Sequence, residues 1–214
     1  MPTEKSPHLV LTGPVDNPTP TDAPGLALAG TLAAWTPADT GQAALRDEYV
    51  AFVAAHGEDA WRRDAGPEHL TGSCFVLTPD LTRVLLCFHR KGLFWVQLGG
   101  HVEPSDASVA AGAFREAREE GGVVVDPWSW TPADLDRHAL ASAFGRCRVH
   151  WDVGFVAFAA ADAVPVVSDE SEDVAWWPVD DLPESVPPGF RERLAGVLRE
   201  VRSRGVSGTP TGSL

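Results

Sequence analysis

Two adjoining segments decide how this chain is read: Gly99-Gly100-His101-Val102-Glu103-Pro104-Ser105-Asp106 and Arg115-Glu116-Ala117-Arg118-Glu119-Glu120-Gly121-Gly122. The first is a glycine-rich loop. The second closes a helix predicted from about Ala107 to Glu120, capped by Asp106 or Ser108 and stopped by Gly121-Gly122. At about 100° per residue, Glu116, Glu119 and Glu120 fall within an arc of roughly 100°. Like charges at i and i+4 destabilise a helix by a few tenths of a kcal/mol, and the negative end of the helix dipole adds to that cost. A bound divalent cation would offset both, and carboxylate oxygens suit hard ions such as Mg²⁺ or Mn²⁺. On the same helix Ala110, Ala113, Phe114 and Ala117 make an apolar arc expected to lie on a sheet. The glutamates should then face a cleft, with Arg118 pointing away. Gly112 costs this helix up to about 1 kcal/mol; it either makes room for backbone or ligand or is simply tolerated.

This pattern resembles the Nudix box of the Nudix (MutT-like) hydrolases in its Gly-Gly-His variant. Gly100 opens the box, Asp106 takes its acidic position, and Arg115, Glu116, Ala117, Glu119, Glu120, Gly122 and Val123 complete it. Two departures stand out: the spacer 107–114 holds eight residues rather than the usual seven, and the acid is Asp rather than Glu. The resemblance covers roughly residues 70–203. It implies an α/β/α sandwich with a mixed sheet and a Mg²⁺- or Mn²⁺-dependent hydrolase. That enzyme would cleave a phosphoanhydride bond in a nucleoside diphosphate linked to another moiety. By the same resemblance Glu116 and Glu120 are metal ligands, Glu119 a ligand or the general base, and the Gly100 carbonyl a further ligand. Arg115 would orient a glutamate through a charge-assisted hydrogen bond. Two alternatives use the same fold: a nucleotide-sensing module without turnover, and an allylic diphosphate isomerase. Intact box glutamates speak against the first; none of Cys74, Cys87 and Cys147 has a context recognisable for the second.

Other side chains are candidates for holding substrate. His150 and Asp152 project to one side of a predicted strand, where they bind substrate, supply a base or form a hydrogen-bonded pair. His101 follows the glycine pair and could reach a phosphate or merely contact solvent. Arg90 and Lys91, in a loop before the box, could grip a phosphate or form a hairpin-tip charge pair. Glu170, Glu172 and Asp173 offer a further base or a solvated loop, and Trp95 and Trp177 a base-stacking surface or core.

Composition narrows the class. The chain has 214 residues, 44% of them hydrophobic, eight tryptophans and a formal charge of −13. A core of good size is within reach, and the acidity argues against a nucleic-acid polymer as partner. A small phosphorylated substrate, most naturally a nucleotide, remains compatible because metal ions can bridge carboxylates to phosphate. Three cysteines without paired ligand spacing read as reduced, buried thiols of a cytoplasmic protein. No apolar leader and no run near 18 apolar residues indicates export or membrane insertion. Many Nudix relatives dimerise, so a homodimer stays open.

The remaining chain divides into a Pro-rich leader (1–25), an N-terminal helical extension (26–69), the hydrolase domain (70–203) and a flexible tail (204–214). Helices are expected at 26–35 and 42–62, the second capped by Asp39 or Thr40. Strands are expected at Ser73–Leu77, Arg83–His89, Phe94–Gln97, Val123–Val125, Arg148–Ala160 and Val174–Trp177. Residues 126–147 read as irregular, with a helix start at Thr131-Pro132-Ala133-Asp134. The Trp strand and the Asp-x-Leu-Pro turn after it resemble a common Nudix ending, before a last helix at about Pro188–Arg202.

Overall fold

The computed structural model describes residues 24–140, 146–167 and 171–204, so the leader up to residue 23 and the tail from 205 lie outside the described residues. The elements are α1 (Pro24–Ala34), α2 (Thr40–His56), a 3₁₀ turn (Gly57–Ala60), β1 (Glu68–Leu77), β2 (Arg83–His89), β3 (Phe94–His101), α3 (Val109–Gly121), β4 (Asp126–Pro127), β5 (Asp134–Ala139), β6 (Val149–Phe158), β7 (Ser171–Pro178) and α4 (Phe190–Ser203). One mixed sheet takes the seven strands in the order β4-β6-β1-β3-β2-β7, with β5 also paired to β6. Strands β1 and β6 run parallel from Glu68↔Val149 to Leu77↔Phe158, and the other pairs are antiparallel. Both central strands are covered on two faces, which is why they read as near-continuous apolar runs.

Side-chain alternation along β1 sorts the core into two layers. Leu70, Cys74 and Val76 join the apolar arc of α3 (Ala110, Ala113, Phe114, Ala117) and the helices α1 and α2 in one cluster. Phe75 and Leu77 join Phe190, Leu194, Val197 and Leu198 of α4 in the other. The result is the expected α/β/α sandwich with a mixed sheet. The N-terminal helices dock through aromatic side chains of α2: Phe52 stacks on Trp151 at 4.3 Å, and the Tyr49 hydroxyl donates to the Asp152 carbonyl at 2.8 Å. Asp39, not Thr40, caps α2, accepting from the Gly41 and Gln42 amides. The helix stops at His56, six residues short of the expected end, because Gly57 takes a left-handed φ of 55°.

Three expectations need correction. Strand β1 begins at Glu68 rather than Ser73, because its first residues pair with β6 on one side and with the glycine end of β3 on the other. Val123–Val125 is not a strand. Val123 and Val125 are buried and Val124 is 87% exposed, which imitates strand alternation, but pairing starts only at Asp126. The helix start at Thr131–Asp134 is instead the lead into strand β5. There the Asp134 carboxylate is taken by Arg193 of α4 rather than by a helix N-terminus, and the backbone pairs with β6.

Candidate active site

Helix α3 is capped by Ser108, whose Oγ accepts from the Ala111 amide at 3.1 Å, and ends on left-handed Gly122. That placement frees Asp106 for another task. Its two oxygens receive a fork of hydrogen bonds from Arg115, from Nε at 3.0 Å and Nη2 at 3.0 Å, while Oδ2 also accepts from the Glu103 amide at 2.8 Å. Arg115 then reaches Glu116 Oε1 (3.1 Å) and Glu119 Oε2 (2.9 Å) through Nη1, and the His101 carbonyl (3.2 Å) through Nη2. Glu120 turns toward the loop and accepts from the Gly99 amide at 2.9 Å. The Glu116 carboxylate lies against Gly100, so close that a Cβ there would stand 2.7 Å from Oε1.

The loop carbonyl, the acid at its end, Glu116 and Glu119 thus converge around one guanidinium. The hydrogen bond to Asp106 foremost, and the neighbouring Glu116 and Glu119, raise the Arg115 pKa well above its ordinary value despite the cost of burial, so it stays charged. Arg115 is thus shared among Asp106, Glu116 and Glu119, while Glu120 is held at the loop by the Gly99 amide. Gly112 has a structural explanation: a Cβ at that position would lie 2.8 Å from Asp106 Oδ2, so the helix gives up propensity to admit the carboxylate.

The family model of the NUDIX domain matches residues 67–201, a span that holds this cluster and the whole sheet. The chain belongs to the NUDIX family. Solved structures agree with the fold. A MutT protein from Methanosarcina mazei Go1 is 20% identical with a TM-score of 0.50, the match covering 63% of this chain and 96% of that one. A NUDIX-family hydrolase from Clostridium perfringens is 20% identical over 62% of this chain and 95% of its own, with a TM-score of 0.49. An ADP-ribose pyrophosphatase from Streptococcus suis 89-1591 is 20% identical over 64% and 92%, with a TM-score of 0.46. No curated protein gives a significant match. The family match makes this protein a Nudix hydrolase.

Around the box of this Nudix hydrolase, the other sequence candidates divide. Gly100 presents its Cα toward Glu116, so the next residue on the strand, His101, points to the opposite face of the sheet. There His101 meets His69 (ring centroids 5.1 Å) and His150 (5.3 Å), and His69 and His150 meet each other at 5.1 Å. His101 and His150 are brought together, but with one another rather than with the box carboxylates. Asp152 is 3% exposed and engaged inside the fold, accepting from Thr71 Oγ1 (2.9 Å), Ser73 Oγ (2.6 Å) and Arg193 Nη2 (2.7 Å). It sits beside Asp134 as a partner of Arg193 on α4. Arg90 and Lys91 are exposed in the turn between β2 and β3, and the Lys91 charge is felt at His101. Glu172 and Asp173 are exposed on β7, and Glu170 lies outside the described residues. Trp95 and Trp177 pack edge to face at 5.3 Å on the α4 side.

Two further residues were not among the sequence candidates for a site, although Cys147 was read as a buried thiol. His69 is fully buried at the start of β1, and Cys147 is buried just before β6. One ligand atom from each of His69, His101, Cys147 and His150 can be chosen so that all lie within 4.8 Å of one another. The expectation that the cysteines lack ligand spacing overlooked this pairing, since Cys147-x-x-His150 is a local signal of the kind metal sites use. His69 could not have been found by spacing, because only the parallel register His69↔His150 brings it alongside. Burial first, then the Arg63 charge and the neighbouring His69, push the His101 pKa down to about 4. For His150, burial and then His101 push it to about 3. Both rings are neutral at neutral pH.

Proposed function

We propose that this Nudix hydrolase uses a Mg²⁺ or Mn²⁺ ion to cleave a phosphoanhydride bond in a nucleoside diphosphate linked to another moiety. The observation that carries the proposal is the gathering of carboxylates at the box: Asp106, Glu116 and Glu119 all engage Arg115, the Gly100 backbone lies immediately beside Glu116, and Glu120 reaches the neighbouring Gly99 amide. Oxygen donors in that number suit a hard divalent cation. Glu116, Glu120 and the Gly100 carbonyl would hold the ion. Glu119, with 59% of its side chain exposed, would be a further ligand or the base that takes a proton from water. When bound, the metal polarises phosphoryl oxygens and lowers the pKa of bound water. Arg115 orients Glu116 and Glu119, and Asp106 fixes Arg115. Arg90 and Lys91 supply positive charge toward a phosphorylated substrate that the acidic chain otherwise repels, and His101, His150 and Asp152 shape the neighbouring sheet face. The buried thiols of Cys74, Cys87 and Cys147, none of them in a disulfide, fit a cytoplasmic setting.

The test is a phosphate-release assay over a panel of nucleoside diphosphate derivatives with Mg²⁺ or Mn²⁺, on the wild type and on Glu116→Gln and Glu120→Gln. Turnover by the wild type and its loss in both variants, with circular dichroism unchanged, is the expected result. Near-wild-type turnover in Glu120→Gln refutes the metal assignment.

A further inference from the structure

We propose that His69, His101, His150 and Cys147 form a second metal site, for Zn²⁺ or a similar borderline ion, chemically distinct from the carboxylate box. The cluster has a tetrahedral ligand count, and its ligand atoms lie within 4.8 Å of one another. A zinc ion with nitrogen and sulfur ligands spaces them about 3.3–3.8 Å apart, so modest side-chain rotation closes the site. Three imidazoles and a thiol disfavour Mg²⁺, which takes oxygen, and favour zinc.

A second observation points the same way. Neither ring nitrogen of fully buried His69 has a hydrogen-bond partner, and Nε2 of His101 and of His150 are likewise buried and unpartnered. The Gly66 backbone lies near enough to His69 to favour its protonated form slightly, yet falls short of a hydrogen bond. An unsatisfied buried polar group costs about 1–3 kcal/mol, and several orphaned nitrogens converging on one point multiply that cost. A metal satisfies one nitrogen on each ring at once.

The local field sets how the site must work. The charges of Arg63 and Lys91 reach these histidines and oppose a cation. The Cys147 sulfur, binding as thiolate, is the one ligand whose charge offsets that field, so its loss should weaken the site more than loss of any single histidine. The site also touches the box indirectly. The His101 side chain would bind the ion, while its carbonyl accepts from Arg115 at 3.2 Å, so a filled site holds the end of β3 in place beneath the box.

The experiment uses the full chain, stripped with a chelator and titrated with Co²⁺ and then Zn²⁺. We expect about one equivalent of Co²⁺ to give a thiolate-to-cobalt charge-transfer band that Zn²⁺ abolishes. Cys147→Ser should lose the band and bind zinc at least about 100-fold more weakly; His150→Ala and His69→Gln should lose about 10-fold or more. The double variant Glu116→Gln with Glu120→Gln removes the box ligands and should keep the band, which separates this site from the Nudix metal. Circular dichroism on each variant guards against misfolding, and His69→Gln preserves side-chain volume if Cys147→Ser does not fold. Absence of a thiolate–cobalt band in the wild type, or wild-type zinc affinity in both His150→Ala and His69→Gln, overturns the proposal.

Discussion

The missing side chain of Gly100 and the carboxylate of Glu116 occupy the same space: a Cβ on Gly100 would stand 2.7 Å from Glu116 Oε1 and 2.8 Å from its Cδ. The glycine is required here by the approach of a functional group, since Gly100 is not among the glycines with positive φ.

Gly100→Ala should therefore spare the fold and damage the site. Glu116 can rotate away from a methyl group, but only by leaving Arg115 and the box. We expect kcat/KM to fall about 100-fold, equivalent to about 2.7 kcal/mol of transition-state stabilisation, with Tm changed by no more than about 4 °C. A drop in Tm matching the loss of activity would mean that Gly100 serves the fold instead.

Gly112→Ala pits two effects against each other. Alanine gains up to about 1 kcal/mol of helix propensity, yet its Cβ would sit 2.8 Å from Asp106 Oδ2 and push against the carboxylate that anchors Arg115. The single variant should show no gain in stability and reduced turnover. In an Asp106→Ala background the obstacle is gone, so the same substitution should stabilise by about 0.5–1 kcal/mol. Urea denaturation of the four proteins gives the coupling directly.

Arg193 is the buried counterpart of Asp134 and Asp152, with 11% of its side chain exposed and 5–7% of theirs. Those two carboxylates, together with Asp136, hold its pKa far above the ordinary value against the cost of burial. Replacing it with Leu strands two buried carboxylates and should cost about 3–5 kcal/mol. Arg193→Leu combined with Asp134→Asn and Asp152→Asn should recover part of that loss, as measured by chemical denaturation.

Asp80 gives a pH dependence of known sign. Hydrogen bonds from the Thr78 hydroxyl (2.6 Å) and the Thr82 hydroxyl (2.8 Å), with the Thr82 amide, lower its pKa below 3.8. Because the folded value is depressed, the stabilisation is complete above pH 3.8 and fades as pH falls through the folded pKa. Asp80→Asn should be less stable than wild type by about 0.5–1 kcal/mol at neutral pH, with the gap closing in acid. A gap that stays constant down to pH 2 would show that the charge plays no part.

The amino-acid sequence determined the box and much of the architecture, because both rest on short-range rules. Glycines, a capping serine and the 3.6-residue spacing of Glu116, Glu119 and Glu120 are local, and so are the apolar runs that marked β2 and β6. The misread stretches are those where local pattern and tertiary pairing disagree. Val123–Val125 alternates without a strand partner, and Thr131–Asp134 resembles a helix start until Arg193, 59 residues from Asp134, claims that carboxylate. Only the folded sheet decided which face each candidate occupies. Neighbours on β3 necessarily point apart, so Gly100 opens toward Glu116 while His101 turns to His69 and His150. The parallel register of β1 and β6, which no spacing within either strand encodes, placed those imidazoles together.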